Sequence, residues 1–232
     1  MSTPALAQDR CRPSLASTIQ SAVRSLGLRP RSVRLHKGAV ISLSERRSAG
    51  LYLVQEGSVK VVRLSDDGKA LLLELAGGDE IFGEMTLFGE MSEDATYAEA
   101  LEATDIEVIN RLALSRLLAA SPQLALRLTE LIGAKRIEVE RRLESHVLRK
   151  VPYRLANELL RLAARYGTLE AAGAELRLRL SQQDLGSLIG ASREMVSLTL
   201  AEFRRRGLVS ARGRRLVVRV APLTARLADG SL

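Results

Sequence analysis

The sequence predicts an α+β protein with three parts: a β-rich N-terminal half folded as a sandwich or jelly-roll barrel, one long helix, and a basic C-terminal module of short helices and a hairpin. Three observations predict it. From Val33 to Asn110 short alternating apolar runs are punctuated by Gly and Asp about every 8–12 residues, the spacing of antiparallel strands. From Ser121 to about Arg149 the pattern is continuously helical. Residues 1–148 hold 19 Lys and Arg against 20 Asp and Glu, and residues 149–232 hold 16 against 7, so all the excess positive charge lies in the last third. A basic module on a near-neutral body suits a polyanion, nucleic acid before membrane.

The elements follow in order. Leu15, Ile19, Ala22, Val23 and Leu26 give residues 14–26 a weak helical periodicity. Leu51–Val54, Val59–Leu64 and Ala70–Leu75 read as strands, and Asp66-Asp67-Gly68-Lys69 between the last two reads as a hairpin turn. Ser121-Pro122 is an N-cap with proline at the first helical position. The helix it opens, at 1.5 Å per residue, is roughly 42 Å long, too long to pack inside a small domain. Leu128, Ile132, Val139 and Leu143 form a coiled-coil-like stripe that skips Lys135. That stripe is a dimer seam or lies along the β domain of its own chain, and the charge around it favours the seam. Val151-Pro152 breaks the helix at a hinge. A helix from Tyr153 to Tyr166, a loop around Gly167–Gly173, a strand from Leu176 to Leu180, two helices and a terminal hairpin complete the chain. The expected division is 1–30, 31–120, 121–150 and 151–232.

Composition narrows the classes. Against a prior of about 150 residues per domain, the 232 residues suit one large domain or two small ones. With 46% hydrophobic and 27% charged residues the chain is not disordered, and with 3% aromatics and no Trp its core is aliphatic. No apolar stretch nears the roughly 18 residues of a membrane span, and the N-terminus has no secretory pattern, so a cytoplasmic protein is expected. Cys11 is the single cysteine, which excludes an intramolecular disulfide and any site built from cysteines alone. No nucleophile–base constellation, phosphate loop or metal motif is present, so no catalytic residue, metal or cofactor is assigned.

The C-terminal motif is the most specific feature. Ser181-Gln-Gln-Asp184 is a capping box opening a short helix with Leu185, Leu188 and Ile189 on its apolar face. Gly190 supplies a tight turn, and Ser192 caps a second helix whose inner face is Val196, Leu200 and Phe203. Two short helices joined by a glycine turn make a helix-turn-helix, and residues 208–220 add a hairpin wing with arginines at its tip. Arg193, Glu194 and Ser197 lie on the outer side of the second helix, where Arg suits guanine and Glu suits cytosine.

Leu180 to Val196, containing Gly190-Ala-Ser-Arg-Glu-Met-Val196, followed by Gly207-Leu-Val-Ser-Ala-Arg-Gly213, resembles the winged helix-turn-helix of the cAMP receptor protein/FNR family of bacterial transcription regulators. Gly57-Ser-Val-Lys-Val, Gly78-Asp-Glu-Ile-Phe-Gly-Glu84 and Leu87-Phe88 resemble that family's cyclic-nucleotide-binding roll, and the match spans residues 33–220 in the family's order. The resemblance implies a jelly-roll β-barrel, a dimerisation helix and a DNA-binding module acting as a homodimer on near-palindromic promoter sites, with double-stranded DNA and RNA polymerase as partners. It implies base reading by Arg193, Glu194, Ser197 and Leu198, and phosphate contacts from Gln182, Ser192, Arg212 and Arg214. Leu198 departs from the family, which often has a second arginine there.

The resemblance also implies an effector pocket at Gly83, Glu84, Asp94, Ala95, Val139 and Glu140, but in degenerate form. Asp94-Ala95 stands where cAMP-binding members carry the phosphate-holding arginine, and Val139-Glu140 replaces small hydroxyl residues. Between Lys69 and Arg111 there are eleven acidic residues and not one Lys or Arg. A carboxylate facing a phosphate repels it. The expected protein is therefore independent of cAMP, with Glu84 left to cap nearby backbone N–H groups. The alternative is the same architecture gated by an unidentified small molecule or by redox state. His146, near the end of the long helix, reads as a helix-terminal cation or a seam residue.

Overall fold

The computed structural model describes residues 14–43, 50–88, 95–171, 173–213 and 215–232. Cys11, Asp94 and Arg214 lie outside the described residues.

Helix α1 (Leu15–Ser25) leads into a β-rich unit of β1 (Arg31–Leu35), β2 (Val40–Ser42), β3 (Gly50–Glu56), β4 (Ser58–Leu64), β5 (Ala70–Gly77), β6 (Ile81–Phe82), the short α2 (Met85–Phe88), β7 (Thr96–Ala100) and β8 (Thr104–Asn110). The strands pair antiparallel as β1-β8-β3-β6 and β2-β7-β4-β5. Among the described residues the sheets form a jelly-roll-like pair rather than a closed barrel. Tyr52, Val54, Phe82 and Ile106 of one sheet meet Val59, Val61, Ala76 and Ala98 of the other in a single core. Leu51 and Leu53 point the opposite way, into a second core with Ile19 and Val23 of α1 and with helices that follow. β3 is therefore buried on both faces, which is why it reads as the unbroken apolar run Leu51-Tyr-Leu-Val. The predicted turn is a five-residue loop, with Ser65 and Lys69 sharing a hydrogen bond and Gly68 at φ 78°.

Helix α3 (Arg111–Ala120) is followed by α4 (Pro122–Leu148), whose N-cap is Ser121 with proline in the first turn, as the sequence predicts. The chain turns at Arg149 and Lys150 and not at Val151-Pro152, because Pro152 sits within the first turn of α5 (Val151–Tyr166), where no helical N–H is needed. The expected loop after it is a hairpin of β9 (Gly167–Glu170) and β10 (Gly173–Leu176). The expected strand at 176–180 ends where it was to begin. Leu176, Leu178 and Leu180 do point inward in alternation, but on this segment the neighbouring strand β12 (Arg215–Val218) reaches only Ala174 and Glu175 of β10. Alternation reports which face is buried, not whether a strand has a partner.

The C-terminal module continues with α6 (Gln182–Ile189), α7 (Arg193–Arg205), β11 (Val209–Arg212), β12 and α8 (Val220–Ala228). Helix α8, absent from the sequence reading, buries Leu223 in the module's core. That core does not stop at the module: Leu72, Leu75 and Leu101 of the β-rich unit belong to it. Lys60 of β4 is nearly enclosed between Asp184 of α6 (2.7 Å) and Glu99 of β7 (3.1 Å). The Tyr166 hydroxyl lies within donating distance of the Leu75 carbonyl (2.9 Å) and Glu80 (2.8 Å), and Glu80 also pairs with Arg165. The two units are joined by apolar contact ringed with ion pairs.

Candidate nucleic-acid interface and effector site

Local chemistry builds the helix-turn-helix. Ser181 accepts from the Asp184 N–H (3.0 Å) while Asp184 accepts from the Ser181 N–H (2.9 Å), completing the capping box. Burial works against the Asp184 carboxylate, yet Lys60 and Ser181 hold it below the usual carboxylate range. Burial likewise opposes the Lys60 ammonium, and Asp184 and Glu99 outweigh it, leaving its pKa above the ordinary lysine value.

Gly190 ends α6 at φ 61° and ψ 48°, the left-handed conformation. A Cβ there would also lie 2.4 Å from His146 Nε2. His146 therefore lies against the turn of its own chain. Gly190→Ala is expected to cost about 1–2 kcal/mol for the left-handed backbone alone, and more because the imidazole must move. A urea unfolding midpoint that stays at the wild-type value would contradict this.

Ser192 accepts from the Met195 N–H (3.2 Å) and starts α7. Val196, Leu200 and Phe203 are buried, as expected, while Arg193, Glu194 and Leu198 are exposed, Leu198 at 66%, with Ser197 half-buried beside them. The four predicted base-reading residues thus share one open face. The Glu194 carboxyl is held below its ordinary pKa by a backbone N–H and the Ser192 hydroxyl. Gln182 is half-buried in the first turn of α6. Arg212 is exposed at the wing but bound to Glu170 (2.6 Å) and Glu175 (3.4 Å), and Arg215 pairs with the same Glu175 (3.0 Å). With Arg179 these residues line a charged cleft of about 530 Å³. The cleft went unforeseen because its members are scattered over residues 170–215.

Of the residues expected to form an effector pocket, Asp94 lies outside the described residues and Val139 and Glu140 were expected to act across a dimer; the single chain places the described ones as follows. Gly83, at φ 80°, packs so closely on the Tyr52 ring that a Cβ would sit 2.6 Å from it. Glu84 is 3% exposed and lies inside the β-rich unit. Ala95 is exposed just before β7. Val139 and Glu140 are 61% and 60% exposed on α4, where Glu140 pairs with Arg136. Among the described residues Glu84 caps no backbone N–H group: its carboxylate is 2.8 Å from Lys135 Nζ, which also lies 2.6 Å from Glu74. Lys135 was read as a gap in the seam and the unit as lacking cations. The long helix supplies one. The surroundings of Glu84 do not suit a cyclic phosphate, since the cation beside it is already shared by two carboxylates.

Burial, opposed by Lys135 and reinforced by Glu84, pushes the Glu74 carboxyl up to about 7. Between the ordinary value of 4.5 and about 7 the folded chain holds a proton that the unfolded chain has released. This contribution to stability is full below pH 4.5 and lost as pH rises through 7. Glu74→Gln is expected to raise the melting temperature relative to wild type at pH 8, the difference shrinking towards pH 5. Parallel profiles for the two proteins would contradict this.

The stripe on α4 divides. Leu128 is 4% exposed and belongs to the core of its own chain, so it is unavailable to a seam, and Ile132 is half-buried against the same core. Val139 at 61% and Leu143 at 64% are open. The first part of the stripe thus packs along its own chain, and Val139 and Leu143 are left open in the single chain.

Comparison with known proteins matches this geometry. The cyclic nucleotide-binding domain family matches residues 32–121 and the Crp-like helix-turn-helix domain family residues 153–224. A CRP-like cAMP-activated global transcriptional regulator of Mycobacterium tuberculosis is 29% identical over 210 residues, covering 90% of this chain and 92% of the relative. The structure of FixK2 from Bradyrhizobium japonicum superposes with a TM-score of 0.70 at 21% identity, covering 85% of this chain and 97% of that one. The c-di-GMP responsive global regulator CLP of Xanthomonas campestris gives 0.70 at 23% identity, covering 86% and 99%. Both superpositions establish the fold. Among the described residues no helix is long and apolar enough to cross a membrane.

Proposed function

Because the chain belongs to the CRP/FNR family of DNA-binding transcription regulators, we propose that it acts as a homodimer on near-palindromic promoter sites without cAMP. Residues 31–120 serve as an effector-like scaffold, 121–150 as the dimerisation helix and 151–232 as the DNA-binding module. Arg193 and Glu194 read base edges, Ser197 and Leu198 flank them, and Leu198 suits a thymine methyl in place of a guanidinium contact. Gln182, Ser192, Arg212 and Arg214 set affinity and register on phosphates. Ile132, Val139 and Leu143 form the seam.

The observation that carries effector independence is the run of eleven acids and no base between Lys69 and Arg111. Binding sites selected from a random DNA pool are to be titrated by fluorescence anisotropy with nucleotide-free protein, then with excess cAMP. Tight, salt-sensitive, specific binding that cAMP leaves unchanged is expected. Weak binding that cAMP restores would overturn the reading.

A further inference from the structure

We propose that Lys135 is a built-in cation that does within the chain what an effector would do from outside, tying the β-rich unit to α4 in the DNA-competent arrangement. The inference rests on the effector-independent reading above and assigns that independence to one side chain.

The ammonium forms a close ion pair with Glu74 Oε1 at 2.6 Å and donates to Glu84 at 2.8 Å and to the Ile81 carbonyl at 3.5 Å. These come from β5, from the residue leading into α2, and from β6, so a single helical side chain joins three points of the unit. Lys135 does not interrupt the seam. Leu128, Lys135 and Arg142 recur at seven-residue intervals on the inner face of α4, beside the outer stripe of Val139 and Leu143. Leu128 enters the core, Lys135 meets the two carboxylates, and Arg142 donates to the Leu73 carbonyl at 2.9 Å, next to Glu74.

The same turns of α4 hold the DNA-binding module. Arg142 reaches Glu158 of α5 at 3.9 Å, and Glu138 pairs with Arg161 of α5. The stretch pinned by Lys135 is therefore the stretch on which α5 rests. Removing the ammonium would leave the almost fully buried Glu84 facing Glu74 without the cation that lies between them, so the two strands and the helix would lose their common point. The chemistry of the emptied site would select a primary ammonium and reject anions.

The test uses full-length protein and the selected operator. Lys135→Ala is expected to lose about 5–150-fold in operator affinity, the usual range of coupling between sites. Lys135→Arg, which keeps a cation, is expected to restore binding. Lys135 is partly solvent-accessible, so n-propylammonium chloride can reach the emptied site and is expected to recover affinity in Lys135→Ala beyond an equal concentration of sodium chloride. Should Lys135→Ala fail to fold, the charge-free variant Glu74→Gln/Glu84→Gln/Lys135→Met decides, with a folded dimer of reduced operator affinity supporting the proposal. Wild-type affinity in either variant overturns it, as does a loss that neither the arginine nor the amine repairs. Weak binding by nucleotide-free wild type would instead overturn effector independence itself, and this inference with it.

Discussion

Arg193→Ala is expected to cost about 1–3 kcal/mol per half-site, so about 2–6 kcal/mol for a dimer on a two-fold site, if its guanidinium pairs bidentately with a base. Arg193 opens α7 on the exposed face, behind the Ser192 cap that fixes the helix start, so truncation leaves the module's core untouched. The loss should be specific. Repeating the site selection with the variant is expected to relax preference at one position in each half-site while the salt dependence stays unchanged. Arg212→Ala should do the opposite: it weakens binding to all sequences alike and lowers the salt slope by about one per subunit. Uniform weakening by Arg193→Ala, with a reduced slope, would place that side chain on phosphate.

The second large effect concerns the seam. Val139→Glu/Leu143→Glu puts four carboxylates into the proposed dimer interface and none into the core of either chain. Both side chains are more than half exposed in the single chain, so folding and helix content are expected to survive. Sedimentation should then show monomer at concentrations where wild type is dimeric. With a single recognition helix left to bind, operator affinity should fall about 10³-fold or more, towards the non-specific level. Leu128→Glu is the informative contrast. Leu128 is buried against its own chain, so a carboxylate there is expected to unfold the protein and not merely to separate subunits. A double variant that remains dimeric would move the seam to another face of α4, such as that of Leu126 and Ile137.

Charge placement distinguishes what could be read from the sequence and what could not. The acidic run of residues 70–110 is the basis, independent of any alignment, for expecting a site unsuited to an anion. The same reading concluded that cations were lacking, because it searched near Glu84 along the chain. Lys135 lies 51 residues from Glu84, on an element whose path no local pattern reveals. Lys60 and Asp184 are 124 residues apart, and no local pattern pairs the strand lysine with the capping-box aspartate that the fold encloses beside it. Glu170 and Glu175 were likewise invisible as partners of the wing arginines, since the hairpin that carries them read as a loop.

What the sequence by itself determined is whatever depends on neighbours three or four residues apart. The Ser181–Asp184 capping box, the left-handed Gly190, the Ser192 cap and the open face from Arg193 to Leu198 are all of this kind. So is the order of β-rich unit, long helix and basic module, because periodicity and charge change at its joints. Only the tertiary structure decided how α4 is shared. Periodicity shows which side chains lie along one line of a helix, but not whether a given stretch is covered by its own chain or left open. Leu128 turned inward because α1 and α3 pack beside it, Lys135 because two buried carboxylates need a cation, and Val139 and Leu143 stayed outside because nothing among the described residues covers them.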